Sequence, residues 1–302
     1  MLAKFWEGVA DSVGERWVAL VLSPALLYWA AVLLAYLQQA HANVHAVEVY
    51  INGRTSAELI ALAAAAALVV VATMLLVHRL RLTVLRVLEG YWPRVARPLR
   101  TLLVWVWSKR IDHKGAKYQT LLAQMPLSAA QQMEAARLDV WLRRFPVDPG
   151  RRMPTRLGNI LRAAEDRPRQ RYGLDPIIVW PRLWLVLSEE RRTPLQESRA
   201  ALDSTIDAWL LGVAFLPWVV WAWWAVPLSL LVACAAYLWA RNPAEAYGDL
   251  LEAAFDVARV DLYRSLRWPL PASSAEELAA GARATAYLWR GEVPGGVVWR
   301  DN

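Results

Sequence analysis

Cysteine, histidine and lysine are scarce in this chain, and each scarcity excludes something. One cysteine, Cys234, stands among 302 residues. A lone thiol forms no intramolecular disulfide, and no zinc site can rest on thiolates. Cys234 lies in an apolar run and reads as a small apolar residue. The histidines are His41, His45, His78 and His113. His41 and His45 share a helix face, with Glu48 three residues on, yet two imidazoles are too few to make a metal site. No metal is expected. Lysine occurs only at Lys4, Lys109, Lys114 and Lys117, so almost every cation is an arginine. The Ala and Arg bias is that of a GC-rich coding sequence. Catalytic signatures are missing as well: there is no GxSxG, HExxH, Walker loop or dinucleotide fingerprint. Neither enzymatic chemistry nor a cofactor is expected, and no catalytic residue is nominated. No strand alternation and no internal repeat are visible.

Charge is missing from long stretches. From Trp17 to Val47 there is no Asp, Glu, Lys or Arg, and none occurs from Trp209 to Ala240. Apolar types make up 57% of the chain, and it carries 18 tryptophans. Both figures exceed ordinary soluble usage, and tryptophan favours the membrane–water boundary. The segment Trp17–Leu37 has the roughly 20 residues that a bilayer span needs, with Trp17 and Tyr36 near its ends. "AHA" at 40–42 resembles a cleavage site. The apolar region is too long for a signal peptide and follows a tail carrying Glu7, Asp11 and Glu15, so a retained span is expected. A second span is read at Leu59–Val77. Its helix continues into the amphipathic "HRLRLTVLRVLEG" and ends at Gly90 and Pro93.

The 209–240 run is too long for one span, since at 1.5 Å per residue it would far exceed a hydrocarbon core of about 30 Å. Pro217 and Pro227 interrupt it, and Trp218, Trp221, Trp223 and Trp224 crowd its middle. The expectation is a helical hairpin turning near Trp221–Pro227, with those tryptophans at an interface. A re-entrant loop is the alternative. Between residues 79 and 110 the charges are Arg79, Arg81, Arg86, Arg94, Arg97, Arg100, Lys109 and Arg110 against Glu89 alone. The positive-inside rule then places both termini and the 79–207 region in the cytoplasm.

The fold class expected is all-α: a polytopic helical membrane protein with four spans in two hairpins and a helical cytoplasmic domain. Residues 1–110 form the first hairpin with its cytoplasmic extension, and 111–200 the cytoplasmic helical domain. Residues 201–243 form the second hairpin, and 244–302 the C-terminal helices and tail. Within these, 99–110 reads as an interfacial helix with Trp105 and Trp107 at headgroup level. A helix is expected from Thr155, another from Pro181, and a last one from a capping box of Ser274 with Glu277. Glu245, Asp249, Glu252 and Asp256 make an acidic stripe on one helix face, read as solvated or docking.

Three motifs in 154–187, Pro-Thr-Arg-Leu-Gly-Asn at 154–159, Arg-Tyr-Gly-Leu-Asp at 171–175 and Trp-Pro-Arg-Leu at 180–183, carry a resemblance. The segment resembles one found in uncharacterised bacterial multi-spanning membrane proteins. It covers about a tenth of the chain and brings no activity with it. The location expected from the spans and the charge is the bacterial inner membrane, with a multi-pass topology.

Candidate site residues follow from charge and place. Asp203 and Asp207 lie one turn apart where the third span begins, and in a symmetric oligomer they would ring a cation pathway. Arg94, Arg97 and Arg100, with Arg167, Arg169 and Arg171, are candidates for anionic lipid or phosphate, the second set alternatively pairing with the acidic stripe. Asp166, Arg171 and Asp175 form the one polar cluster that a lipid-directed enzyme could use. The spans hold no ionisable side chain, which argues against an ion-coupled transporter but leaves a channel open. The expected function is an oligomeric channel or pore-like protein; the alternative is a membrane-anchored signalling or scaffold adaptor. Expected partners are the lipid bilayer, anionic headgroups and further copies of the chain, with no nucleic acid.

Overall fold

A computed structural model describes residues 24–39, 49, 52–124 and 126–291. Every regular element among them is helical. In chain order these are α1 (Pro24–Gln39), α2 (Ser56–Glu89), α3 (Arg97–Leu122), α4 (Ala129–Leu142), α5 (Arg156–Tyr172) and α6 (Pro176–Val186). Then come α7 (Glu189–Ala214), α8 (Ala225–Trp239), α9 (Arg241–Ser265) and α10 (Ser274–Arg290). The chain divides into two compact units. One is drawn from Met1–Val84 and Asp203–Trp239, the other from Leu85–Leu202 and Ala240–Asn302.

Three helical stretches are long and apolar enough to cross a membrane: they begin at Ser56, Glu189 and Ala225. The described part of the first expected span, α1, is a shorter apolar helix. His41, His45 and Glu48 lie outside the described residues.

In the first unit, Val32, Phe215 and Ala225 are buried together, with Tyr28, Trp29, Trp218, Trp221 and Trp224 packed around them. The indoles expected to mark an interface are thus partly internal. Each N–H needs an acceptor when it leaves water, and the fold supplies one. Trp218 Nε1 donates to Tyr28 Oη at 2.9 Å, and that hydroxyl donates to the Ala214 carbonyl at 3.1 Å. Trp29 Nε1 donates to Thr73 Oγ1 at 2.9 Å. Trp224 donates to Gln38. Trp223, outside that cluster, is strongly exposed, at 78%. The turn in the 209–240 run covers residues 215–224: it holds Pro217 and Trp221 and begins before the expected Trp221–Pro227. Helix α7 ends at Ala214, a 3-10 turn covers Leu216–Val220, and Pro227 already belongs to α8. The arms meet where Ser229 Oγ donates to the Gly212 carbonyl at 2.6 Å.

The second unit is built on α9. Leu251, Phe255, Ala258 and Leu262 recur at helical spacing and face a core shared with Leu174, Val179 and Leu183 of the α5–α6 region. Helix α5 is the most extensive partner of α9. Its N-cap is Thr155, whose hydroxyl accepts from Gly158 N at 3.0 Å and donates to the Glu89 carbonyl at 2.9 Å. A Cβ at Gly158 would run into that carbonyl, so only glycine lets the end of α2 approach so closely. Asn159 is fully buried and satisfied on both sides of its amide. It accepts from Met153 N at 2.9 Å and donates to the carbonyls of Met153 and Thr155, each at 2.7 Å. Gly173 closes α5 in the left-handed region, at φ 68°.

Two helix starts differ from expectation. Helix α6 begins at Pro176, capped by Asp175, whose Oδ1 accepts from Ile177 N at 3.0 Å, and Pro181 lies inside it. Helix α10 is capped by Ser273, not Ser274, and Glu276 N donates to that Oγ at 3.3 Å. Helix α3 runs well beyond the expected 99–110 segment, to Leu122.

Candidate functional site

Asp203 and Asp207, one turn apart on α7, converge on one cation. Arg81 of α2 donates through Nε to Asp207 Oδ1 at 2.8 Å and through Nη2 to Asp207 Oδ2 at 2.5 Å. Its Nη1 donates to Asp203 Oδ2 at 3.4 Å. The bidentate fork fixes geometry as well as charge. All three side chains are largely shielded: Arg81 is 21% exposed and each aspartate 18%. Both carboxylates thus meet the same guanidinium.

The two arginine sets part company. Arg94, Arg97 and Arg100, on the 3-10 turn and first turn of α3, are exposed and make no ion pair among the described residues. Arg167 and Arg171 on α5 instead meet the acidic stripe of α9. Arg167 Nη1 lies 2.8 Å from Glu252 Oε2, and Arg171 Nη1 lies 3.0 Å from Glu252 Oε1. Arg171 also reaches Asp256 at 3.5 Å. From the end of α4, Arg143 meets Glu252 at 2.7 Å, and Arg144 holds Asp249 through both nitrogens at 2.6 and 2.8 Å. The stripe is thus a docking face for the chain's own arginines. Arg169 lies 3.9 Å from Asp175. Burial works against the Glu252 charge, but hydrogen bonds from Arg143 and Arg167 and the Arg167 charge outweigh it, holding its carboxyl below the usual range.

Asp166, Arg171 and Asp175 do not converge. Asp166 is buried against Arg151 at 2.5 Å, Arg171 faces Glu252, and Asp175 caps α6.

A cavity of about 230 Å³ in the second unit was not foreseen. Glu89, at the end of α2 and beyond its apolar stretch, and Glu165 of α5 enter it with Arg199. Trp180, Pro181 and Tyr247 wall it. Arg199 also lies over the Tyr247 ring, 5.7 Å from its centroid. Burial, reinforced by the neighbouring Glu165 charge, pushes the Glu89 carboxyl up to about 7. Burial raises Glu165 too, against the pull of Arg162. This arrangement can hold or release a proton close to neutral pH.

Neither Arg81 nor Glu89 was nominated from the sequence. Glu89 was visible as the lone acid in a basic stretch. Arg81 stood among many arginines, more than 100 residues from its partners, with nothing to single it out. No known protein family, curated protein or solved structure matches the chain.

Proposed function

We propose that this chain is a non-enzymatic integral membrane protein of the bacterial inner membrane that anchors a helical binding module at the cytoplasmic surface. Four spans, Trp17–Leu37, Leu59–Val77 and the two arms of 209–240, carry the module, and both termini lie in the cytoplasm. The observation that carries this reading is the engagement of Asp203 and Asp207 by Arg81. Carboxylates that share a guanidinium form a structural clamp and project little field into a pore. The core and arginine network of the second unit support it further, since they give the described residues of 85–202 and 240–291 a packed body of their own.

An oligomeric channel is the second reading, carried by the place of Asp203 and Asp207, one turn apart and partly exposed on α7. The double variant Asp203→Asn, Asp207→Asn separates the two. Under the anchor reading it strands the Arg81 charge and lowers stability by about 3 kcal/mol, while parent and variant are equally silent in liposome cation flux. Under the channel reading the parent conducts and the variant conducts less. Measured cation flux in the parent that falls on this substitution would overturn the anchor proposal.

A further inference from the structure

We propose that a basic pocket in the second unit binds a phosphorylated anion, a role that goes beyond anchoring. The pocket has a volume of about 520 Å³ and lies where α3, α4, α5 and α9 come together. Trp107, Arg110 and Lys114 enter it from α3, at i, i+3 and i+7 on one helix face. Arg156 from the first residue of α5 and Arg241 from the first of α9 complete the cationic wall. Glu245 is the one carboxylate among the lining residues. It is shared between Arg144, outside the pocket, at 3.4 Å and Arg156 at 3.8 Å. Glu245 is thus already engaged by two arginines.

Arg110 and Lys114 make no ion pair among the described residues. They rest on indole faces instead. Lys114 Nζ lies 4.2 Å from the Trp141 ring centroid, and Arg110 Cζ lies 5.5 Å from that of Trp107. Arg156 stacks over the same Trp141 at 5.3 Å and over Phe145 at 4.2 Å. Stacking fixes Arg110 and Lys114 while their N–H groups stay available to an acceptor. Converging like charges repel, and an anion that enters them relieves the repulsion. Guanidinium forks match phosphate oxygens two at a time, and the ammonium adds a point charge, so a phosphate mono- or diester is the chemistry that fits. The volume accommodates the phosphate with an organic substituent against the indoles. Such a group is offered both by a soluble phosphate compound and by the headgroup of an anionic lipid.

Lys114 permits a direct test, because it is one of only four lysines. The full chain is placed in phosphatidylcholine nanodiscs and treated with an amine-reactive reagent, and modification of each lysine is read by mass spectrometry. Inorganic pyrophosphate is added in one arm, with sodium chloride at equal ionic strength as the control. Phosphatidylglycerol replaces part of the lipid in another. Protection of Lys114 by at least fivefold is expected in one arm, while Lys117, held by Glu134 at 2.5 Å, stays as reactive as before. Protection by pyrophosphate identifies a soluble ligand, and protection by phosphatidylglycerol alone identifies a headgroup. Arg110→Gln, at an exposed position without an ion pair, leaves the fold intact and weakens the protecting interaction about tenfold. Lys114 equally reactive in every arm, or protection indifferent to Arg110→Gln, overturns the proposal.

Discussion

Glu89 shows how much a single side chain gains from its neighbours. In water a glutamate titrates well below neutrality; in the second unit burial and the Glu165 charge raise it to about 7. The protonated form is therefore favoured more in the folded chain than in the unfolded one. Its contribution to stability is fully present below about 4.5, the unfolded value, and is lost as pH rises toward 7. Glu89→Gln keeps the size and stays neutral throughout. The unfolding temperature of the parent in detergent should fall between pH 5 and pH 8 by more than that of the variant. Identical slopes for the two would show that the carboxyl is solvated after all. Glu252 behaves in the opposite sense. Its carboxyl is held down by Arg143 and Arg167, so its contribution is present at neutral pH and lost as the pH falls below the ordinary glutamate value. Glu252→Gln leaves the well-shielded Arg167 short of its anion, and a loss of about 3 kcal/mol at pH 7, shrinking toward pH 3, is expected in denaturant titration.

At the scale of elements, helix α5 explains why some of the sequence was legible and some was not. The motif at 154–159 stands out on the page, and the structure gives its residues work: Thr155 caps, Gly158 admits the Glu89 carbonyl, and Asn159 ties Met153 to the helix. Gly158→Ala should force α2 and α5 apart and cost at least 2 kcal/mol, visible as early loss of helical signal on heating, whereas Gly115→Ala, with open space around it, should not. Local signals of this kind are decisive where a single residue fits the role. Gly90 ends α2, at φ 103°, as the sequence predicts. They misled where two residues competed for one role. Asp175-Pro176 and Trp180-Pro181 both resemble a helix start, and only the pairing of Asp175 with the Ile177 amide decides between them. What could not be read at all was long-range. The acceptor for Trp218 lies 190 residues away, and the cation for Asp207 lies 126 residues away. No spacing rule reaches across such distances, so sequence alone shows only the general preference of the tryptophans for interfaces and the position of the aspartates at a helix entry.

At the scale of the whole molecule, the physical question is which way the basic connection faces. The apolar stretch of α2 gives way to Arg79, Arg81 and Arg86, and beyond Gly90 come Arg94, Arg97 and Arg100, exposed and free of ion pairs among the described residues. Translocating that many cations is unfavourable, and anionic headgroups on the cytoplasmic leaflet would attract them at about 1 kcal/mol each. The opposite connection offers Arg54, paired with Glu58 at 3.3 Å, and so has little net charge. An exposed thiol probe settles the direction once the exposed native Cys234 is replaced by alanine. In that background Arg54→Cys should react with an impermeant maleimide on intact spheroplasts, and Glu197→Cys should react only after lysis. Arg54 lies in the bend just before α2, and Glu197 lies in the first half of α7. If Glu197→Cys labels from outside and Arg54→Cys does not, the module faces away from the cytoplasm, and the orientation proposed for the anchor is reversed.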